Sequence, residues 1–202
     1  MFESVSPLEG RLAMGGRDGV DGRRSLRVTE IRGWHLTQLG VFGGGASVLS
    51  PLVHSITGAA LPDSNGEVTA SGPHRLYRIA LDQYWVLSLE EGTGRALEQA
   101  VPANSGTVTV LSGGRLCLRL EGAAARDVLA HQLALDLDLT QFPAGRFAQT
   151  GFDHAGVLLD RRGSERFELH MLSTFAASSW DVLIDTALPY GYDVGVESAA
   201  AG

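Results

Sequence analysis

Apolar and polar positions alternate along most of this chain, and the period of the alternation switches several times. From Leu26 the positions Leu26, Val28, Ile31, Trp34, Leu36, Leu39, Val41 and Phe42 read as strand. After Gly43-Gly44-Gly45, Val48, Leu49, Leu52, Val53 and Ile56 fall at helical spacing and predict a helix over 46–56. Pro51 fits the first helical position, which places the helix start near Ser50. Residues 58–73 are rich in turn formers, with Asp63-Ser64-Asn65-Gly66 the strongest signal. Two alternating runs, 75–81 and 84–89, flank Asp82-Gln83 and predict a hairpin; a short helix follows over 96–101. A second hairpin is predicted by runs 107–111 and 115–120 around Ser112-Gly113-Gly114. Ala125, Val128, Leu129, Gln132 and Leu133 form one stripe of a helix over 123–135. Strands follow over 146–160 and 165–172, turning at Arg161-Arg162-Gly163-Ser164, and a last helix runs over 174–187.

Short helices thus alternate with hairpins. That order predicts an α+β fold, with antiparallel or mixed sheets and helices packed on one face, rather than a doubly wound parallel sheet. Residues 1–24 lack sustained periodicity and read as a flexible, solvated N-terminal arm. Residues 25–196 read as a single α+β domain, and the recurring hairpin-then-helix pattern permits two pseudo-repeated halves over 25–111 and 112–196. Residues 197–202 are small and polar and read as a disordered tail.

Composition narrows the function classes. The chain has 202 residues and a formal charge of −7, and its 16 cationic residues are all arginine. An acidic chain without a basic cluster does not suit nucleic acid, whose binding needs a positive face. No apolar run reaches the roughly 18–20 residues of a membrane-spanning helix. The N-terminus carries neither a basic nor an apolar leader segment, so the expected location is cytoplasmic. Cys117 is the one cysteine, which excludes an internal disulfide and a multi-thiolate metal site; its alternating run predicts a structural thiol. The absence of lysine removes Schiff-base chemistry.

Candidate chemistry is sparse. Gly43-Gly44-Gly45 before a helix could cradle an anion, but it lacks a dinucleotide fingerprint and reads as a turn. His35, His54, His74, His131, His154 and His170 show no metal-type spacing. Asp153-His154 is the most tempting acid–base pair, with His170 as a third member, although neighbours on a regular strand point to opposite faces. Asp136 and Asp138 alternate with Leu135, Leu137 and Leu139, as exposed positions of an extended segment do. On the last helix Trp180 lies off the inward stripe, near Phe175, leaving a helix apolar on two faces. Such a helix is buried either in a larger core or against another chain, so Phe175 and Trp180 are the candidate partner contacts. No catalytic, cofactor-binding or metal-binding residue is assigned.

A family resemblance enters between Ser112 and Gly191. Its pieces are Leu116-Cys117-Leu118-Arg119-Leu120-Glu121-Gly122, then Ala125, Val128-Leu129-Ala130 and Leu135-Asp136-Leu137. Phe142-Pro143, Gly145, Ala148-Gln149-Thr150, Val157-Leu158-Leu159, Phe167-Glu168-Leu169, Ser173-Thr174-Phe175, Trp180 and Gly191 follow. This segment resembles the gamma subunit of heterotetrameric sarcosine oxidase. The resemblance implies a fold like the folate-binding domain of aminomethyltransferases. It also implies a complex that oxidatively demethylates sarcosine to glycine with oxygen and tetrahydrofolate, giving hydrogen peroxide and methylenetetrahydrofolate. Alpha, beta and delta subunits would carry FAD, FMN, NAD, tetrahydrofolate and zinc. The gamma chain would carry none of these and would assemble chiefly against alpha. The small subunit of a related N-methylglutamate dehydrogenase and a free-standing folate-binding module are the alternatives.

Overall fold

The computed structural model describes residues 6–198. In chain order the elements are β1 (Gly15–Arg17), β2 (Leu26–Arg32), β3 (His35–Val41), α1 (Ala46–Thr57), β4 (Val68–Ser71), β5 (His74–Ala80) and β6 (Gln83–Ser88). They continue with α2 (Thr93–Ala100), β7 (Gly106–Val110), β8 (Arg115–Glu121), α3 (Ala125–Ala130) and β9 (Phe147–Phe152). The last four are β10 (Ala155–Gly163), β11 (Arg166–Leu172), α4 (Ala176–Ala187) and β12 (Tyr192–Ser198). This is the α+β architecture that the alternation of periods predicts. The chain divides into two compact units, one comprising the residues up to Arg32 with Gly113–Glu197, the other Gly33–Ser112. It crosses from one to the other at Gly33 and Gly113, whose φ angles of 75° and 87° strain any L side chain.

The first unit is built on a seven-stranded sheet in the order β1-β12-β2-β8-β11-β10-β9. Successive strand side chains point to opposite faces, so Leu116, Leu118 and Leu120 of β8 join Phe167, Leu169 and Met171 of β11 on one face. Val128 and Leu129 of α3 and Trp180 and Leu183 of α4 complete that core. Each such fully buried side chain contributes about 1.5–3 kcal/mol of transfer free energy. α3 is six residues long, shorter than its predicted span, because Leu133 and Leu137 enter the core from the non-helical chain beyond it. Residues 6–24, expected as a solvated arm, instead hold Leu8 at 0% exposure in this core, and β1 pairs antiparallel with β12. β12 was not legible as strand; Val194 anchors it, and Glu197, expected in the tail, accepts hydrogen bonds from Arg119. Residues 1–5 and 199–202 lie outside the described residues.

The second unit holds a five-stranded sheet in the order β4-β5-β6-β3-β7, antiparallel throughout. Val53 of α1 and Leu97 of α2 pack on Leu39, Leu76 and Val86. The β5–β6 hairpin lies where the sequence places it, and β4 occupies part of the stretch read as turns. The predicted pairing of 107–111 with 115–120 does not form. β7 pairs with β3, while β8 pairs with β2 and β11, so Gly113-Gly114 connects two sheets instead of two neighbouring strands. α1 starts at Ala46, not near Ser50, because the amides of Val48 and Leu49 already bond the Gly45 carbonyl at 3.0 and 2.9 Å. Pro51 therefore stands inside the helix, where it removes one backbone donor.

Candidate functional site

The face of the seven-stranded sheet opposite its helices is polar and yet closed off from water. Cys117 (2% exposed) and Arg119 (8%) on β8, Asp160 (0%) on β10, and Glu168 (4%) and His170 (3%) on β11 all project from it. The register brings them together: Cys117 lies directly opposite His170 and Arg119 opposite Glu168, and Glu168 is in turn opposite Asp160. Arg119 donates from Nε and Nη2 to Oε1 of Glu168 at 3.1 and 3.0 Å, and from Nη1 to both Glu197 oxygens at 3.1 and 2.9 Å. Arg162 donates to Oε2 of Glu168 at 3.0 Å and pairs with Asp160 at 3.5 Å. The Cys117 sulfur lies 4.0 Å from Nε2 of His170.

Electrostatics follow from this crowding. Burial opposes ionisation of Glu168, but the charges of Arg162, His170 and Arg119 outweigh it and hold the carboxyl below its usual range. Burial, then the Glu168 charge, pushes the Cys117 thiol well up, so it is not a poised nucleophile. A closed cluster with these groups can hold a proton or a cation; its burial does not suit turnover of a diffusing substrate.

The residues singled out from sequence lie elsewhere, with Cys117 and His170 the exceptions. Asp153 and His154 form the β9–β10 turn, not a regular strand, and Asp153 takes φ 52°. That turn brings Nε2 of His154 within 3.4 Å of Asp153 Oδ1, while the His154 side chain is 90% exposed. His170 faces Leu158, four residues further along β10, about 13 Å from that turn at normal strand rise. The three residues therefore do not form one site. Asp136 and Asp138 cap turns: Asp138 Oδ1 accepts from the backbone and side chain of Thr140 at 2.9 and 2.7 Å, which lowers its pKa. Gly43-Gly44-Gly45 is a turn whose Gly45 amide bonds the Phe42 carbonyl at 2.7 Å, and a side chain at Gly45 would collide with the Ser105 carbonyl. It is not an open phosphate cradle. Trp180, named as a partner contact, is 5% exposed inside its own unit's core; Phe175, at 36%, is the one of the pair that presents surface.

Arg119, Asp160, Arg162, Glu168 and Glu197 escaped the sequence reading. A signal was present: β8 carries ionisable residues at every second position (Arg115, Cys117, Arg119, Glu121), β11 does so at Arg166, Glu168 and His170, and β10 carries Asp160 and Arg162 near its end in the same phase. Exposed faces show the same pattern, so only the strand order reveals that opposite charges meet. Arg161 escaped for the opposite reason. Read as a turn residue, it extends β10 at 1% exposure and points into the apolar face, donating to the carbonyls of Leu137 and Phe142 at 2.7 Å each.

Among the described residues of the first unit, shallow depressions include the following two. One, of about 460 Å³, is lined by Arg24, Arg27, Glu121 and Asp193, with Arg24 already bonded to Asp18 and Asp193. The other, of about 440 Å³, lies between His131, Asp185 and Tyr190. No helix among the described residues is long and apolar enough to cross a membrane.

Comparison with known proteins bears on both the fold and the family. The family model for the sarcosine oxidase gamma subunit matches residues 44–188. Sarcosine oxidase subunit gamma of Corynebacterium sp. (strain U-96) is 31% identical over 170 residues, which cover 82% of this chain and 81% of that protein. A chain of the heterotetrameric sarcosine oxidase from Corynebacterium sp. U-96, in complex with pyrrole 2-carboxylate, superposes with a TM-score of 0.79 at 24% identity. That match covers 92% of this chain and 95% of the other. The glycine cleavage system aminomethyltransferase T from Bartonella henselae superposes with a TM-score of 0.57 at 15% identity, over 88% of this chain and 49% of that one. The two superpositions establish the fold.

Proposed function

This chain belongs to the sarcosine oxidase gamma subunit family, and from that premise we propose that it is a structural subunit of a cytoplasmic heterotetramer that oxidatively demethylates sarcosine. In this reading oxygen and tetrahydrofolate are co-substrates, and glycine, hydrogen peroxide and methylenetetrahydrofolate are the products. FAD, FMN, NAD, folate, the zinc of the complex and the catalytic groups reside on the alpha, beta and delta subunits. The observation that carries the reading is the family match over most of the chain.

The chain's own chemistry supports the division of labour. General acid–base catalysis needs a titratable group within hydrogen-bond reach of a substrate held in a cleft. The Asp153–His154 pair stands on an open turn, and the buried ionisable residues are engaged with one another. The Gly43–Gly45 turn offers no fit for a dinucleotide phosphate, because its backbone is closed on Phe42 and Ser105. What the chain does offer a complex is surface apolar positions on its first unit such as Leu172 and Phe175, at 40% and 36% exposure.

Co-expression with the flavin-carrying subunits tests the proposal. The chain is expected to co-purify with them in fixed stoichiometry, and persistence as a separate species beside a fully assembled flavoprotein would overturn it. The likeness to an aminomethyltransferase favours one second reading, a free-standing folate binder. Titration calorimetry of the isolated chain with tetrahydrofolate separates the two, since saturable binding would support only the second.

A further inference from the structure

Among the described residues one grouping brings three metal-ligating atoms together: Cys117 Sγ, a His170 ring nitrogen and a Glu168 oxygen lie within 4.8 Å of one another, all on buried residues. We propose that Cys117, Glu168 and His170 bind one divalent transition-metal ion of the zinc type, which cross-links β8 to β11.

The donor set selects the metal. Thiolate, imidazole and carboxylate suit a borderline-soft cation, whereas magnesium and calcium take oxygen ligands. The scaffold is rigid, because Cys117 and His170 are direct cross-strand partners and Glu168 lies two residues from His170 on the same face. Usual zinc–sulfur and zinc–nitrogen lengths at a tetrahedral angle put the two ligands about 3.6 Å apart. Sulfur and nitrogen now stand at 4.0 Å, so a small rotamer adjustment closes the site. Three protein ligands leave the fourth position to water.

Glu168 is prepared for the task by its neighbours. Arg119 places both of its bonds to Glu168 on Oε1, while Oε2 takes the one from Arg162 and keeps a lone pair for a cation. The arginines thereby orient the ligand from outside, as second-shell donors do. Their repulsion of a cation is compensated locally. Arg119, Arg162 and the charge on His170 are matched by Asp160, Glu168 and Glu197. Loss of the His170 and Cys117 protons leaves two negative charges, and a divalent ion cancels both. Binding thus exchanges these two protons, released to solvent, for a nitrogen–metal and a sulfur–metal bond, and affinity rises with pH.

The test uses the full-length chain expressed alone, so that no partner subunit contributes metal. Elemental analysis after growth with zinc and dialysis against a weak chelator should find one zinc per chain. Cobalt(II) added to the zinc-free chain should produce a sulfur-to-cobalt charge-transfer band and the visible bands of a tetrahedral site. Cys117→Ser should abolish the charge-transfer band, and His170→Ala should weaken binding by more than tenfold. His154→Ala, on the exposed turn, should change neither. Absence of both bound zinc and the cobalt band in the wild-type chain would overturn the proposal, as would stoichiometric zinc retained by Cys117→Ser and His170→Ala together. Should either variant fail to fold, the wild-type cobalt spectrum decides alone.

Discussion

Arg161 holds a loop in place through hydrogen bonds to its carbonyls, with no carboxylate among the described residues in ion-pair contact with it. Its guanidinium donates to the carbonyls of Leu137, Phe142, Gly163 and Ser164 and lies 4.9 Å from the Phe167 ring centroid. Burial, with repulsion from Arg126, lowers its pKa against the pull of Asp138. Arg161→Met keeps an apolar stem but strands those carbonyls, and unpaired buried acceptors cost about 1–3 kcal/mol each. Urea denaturation should show a loss of at least about 3 kcal/mol, and a change within about 0.5 kcal/mol would contradict this account of the loop. The ion pairs around Arg119 divide in the same manner. Glu168→Gln disturbs a buried partner and should cost about 3–5 kcal/mol. Glu197, with a side chain 51% exposed, should cost no more than about 1 kcal/mol as Glu197→Gln.

α4 has one face in the core and one in solvent, and its residues differ accordingly. Leu183 is fully buried, so Leu183→Ala should destabilise by about 2–5 kcal/mol. Phe175→Ser, just before the helix at 36% exposure, should stay within about 0.5 kcal/mol while weakening co-purification with partner subunits. Gly191 launches β12 at φ 67°, and a side chain there would collide with the Arg23 carbonyl and the Gly19 amide. Gly191→Ala should therefore lower the melting temperature by several degrees in a thermal scan, through loss of β12. The helices and most strands were legible because their apolar residues repeat at 3.6 or 2.0 positions. Beyond reach were the partners: the run 115–120 looks the same whether it pairs with 107–111 or with β2 and β11. β12 hid because Gly195 interrupts its alternation, and the Arg119–Glu168 pair hid because its members are 49 residues apart in sequence.

At the scale of the whole molecule, the chain shares its fold with an aminomethyltransferase T structure and belongs to the sarcosine oxidase gamma subunit family, and its acid–base residues are scattered between an open turn and a buried sheet face. The proposed assembly role rests on the family match, and sarcosine-dependent oxygen uptake tests it most directly. The isolated chain should consume no oxygen. The complex assembled with Asp153→Asn/His154→Ala should keep the wild-type kcat. Oxygen uptake by the chain alone, or a kcat reduced more than tenfold in the fully assembled variant complex, would contradict a subunit without a catalytic centre of its own.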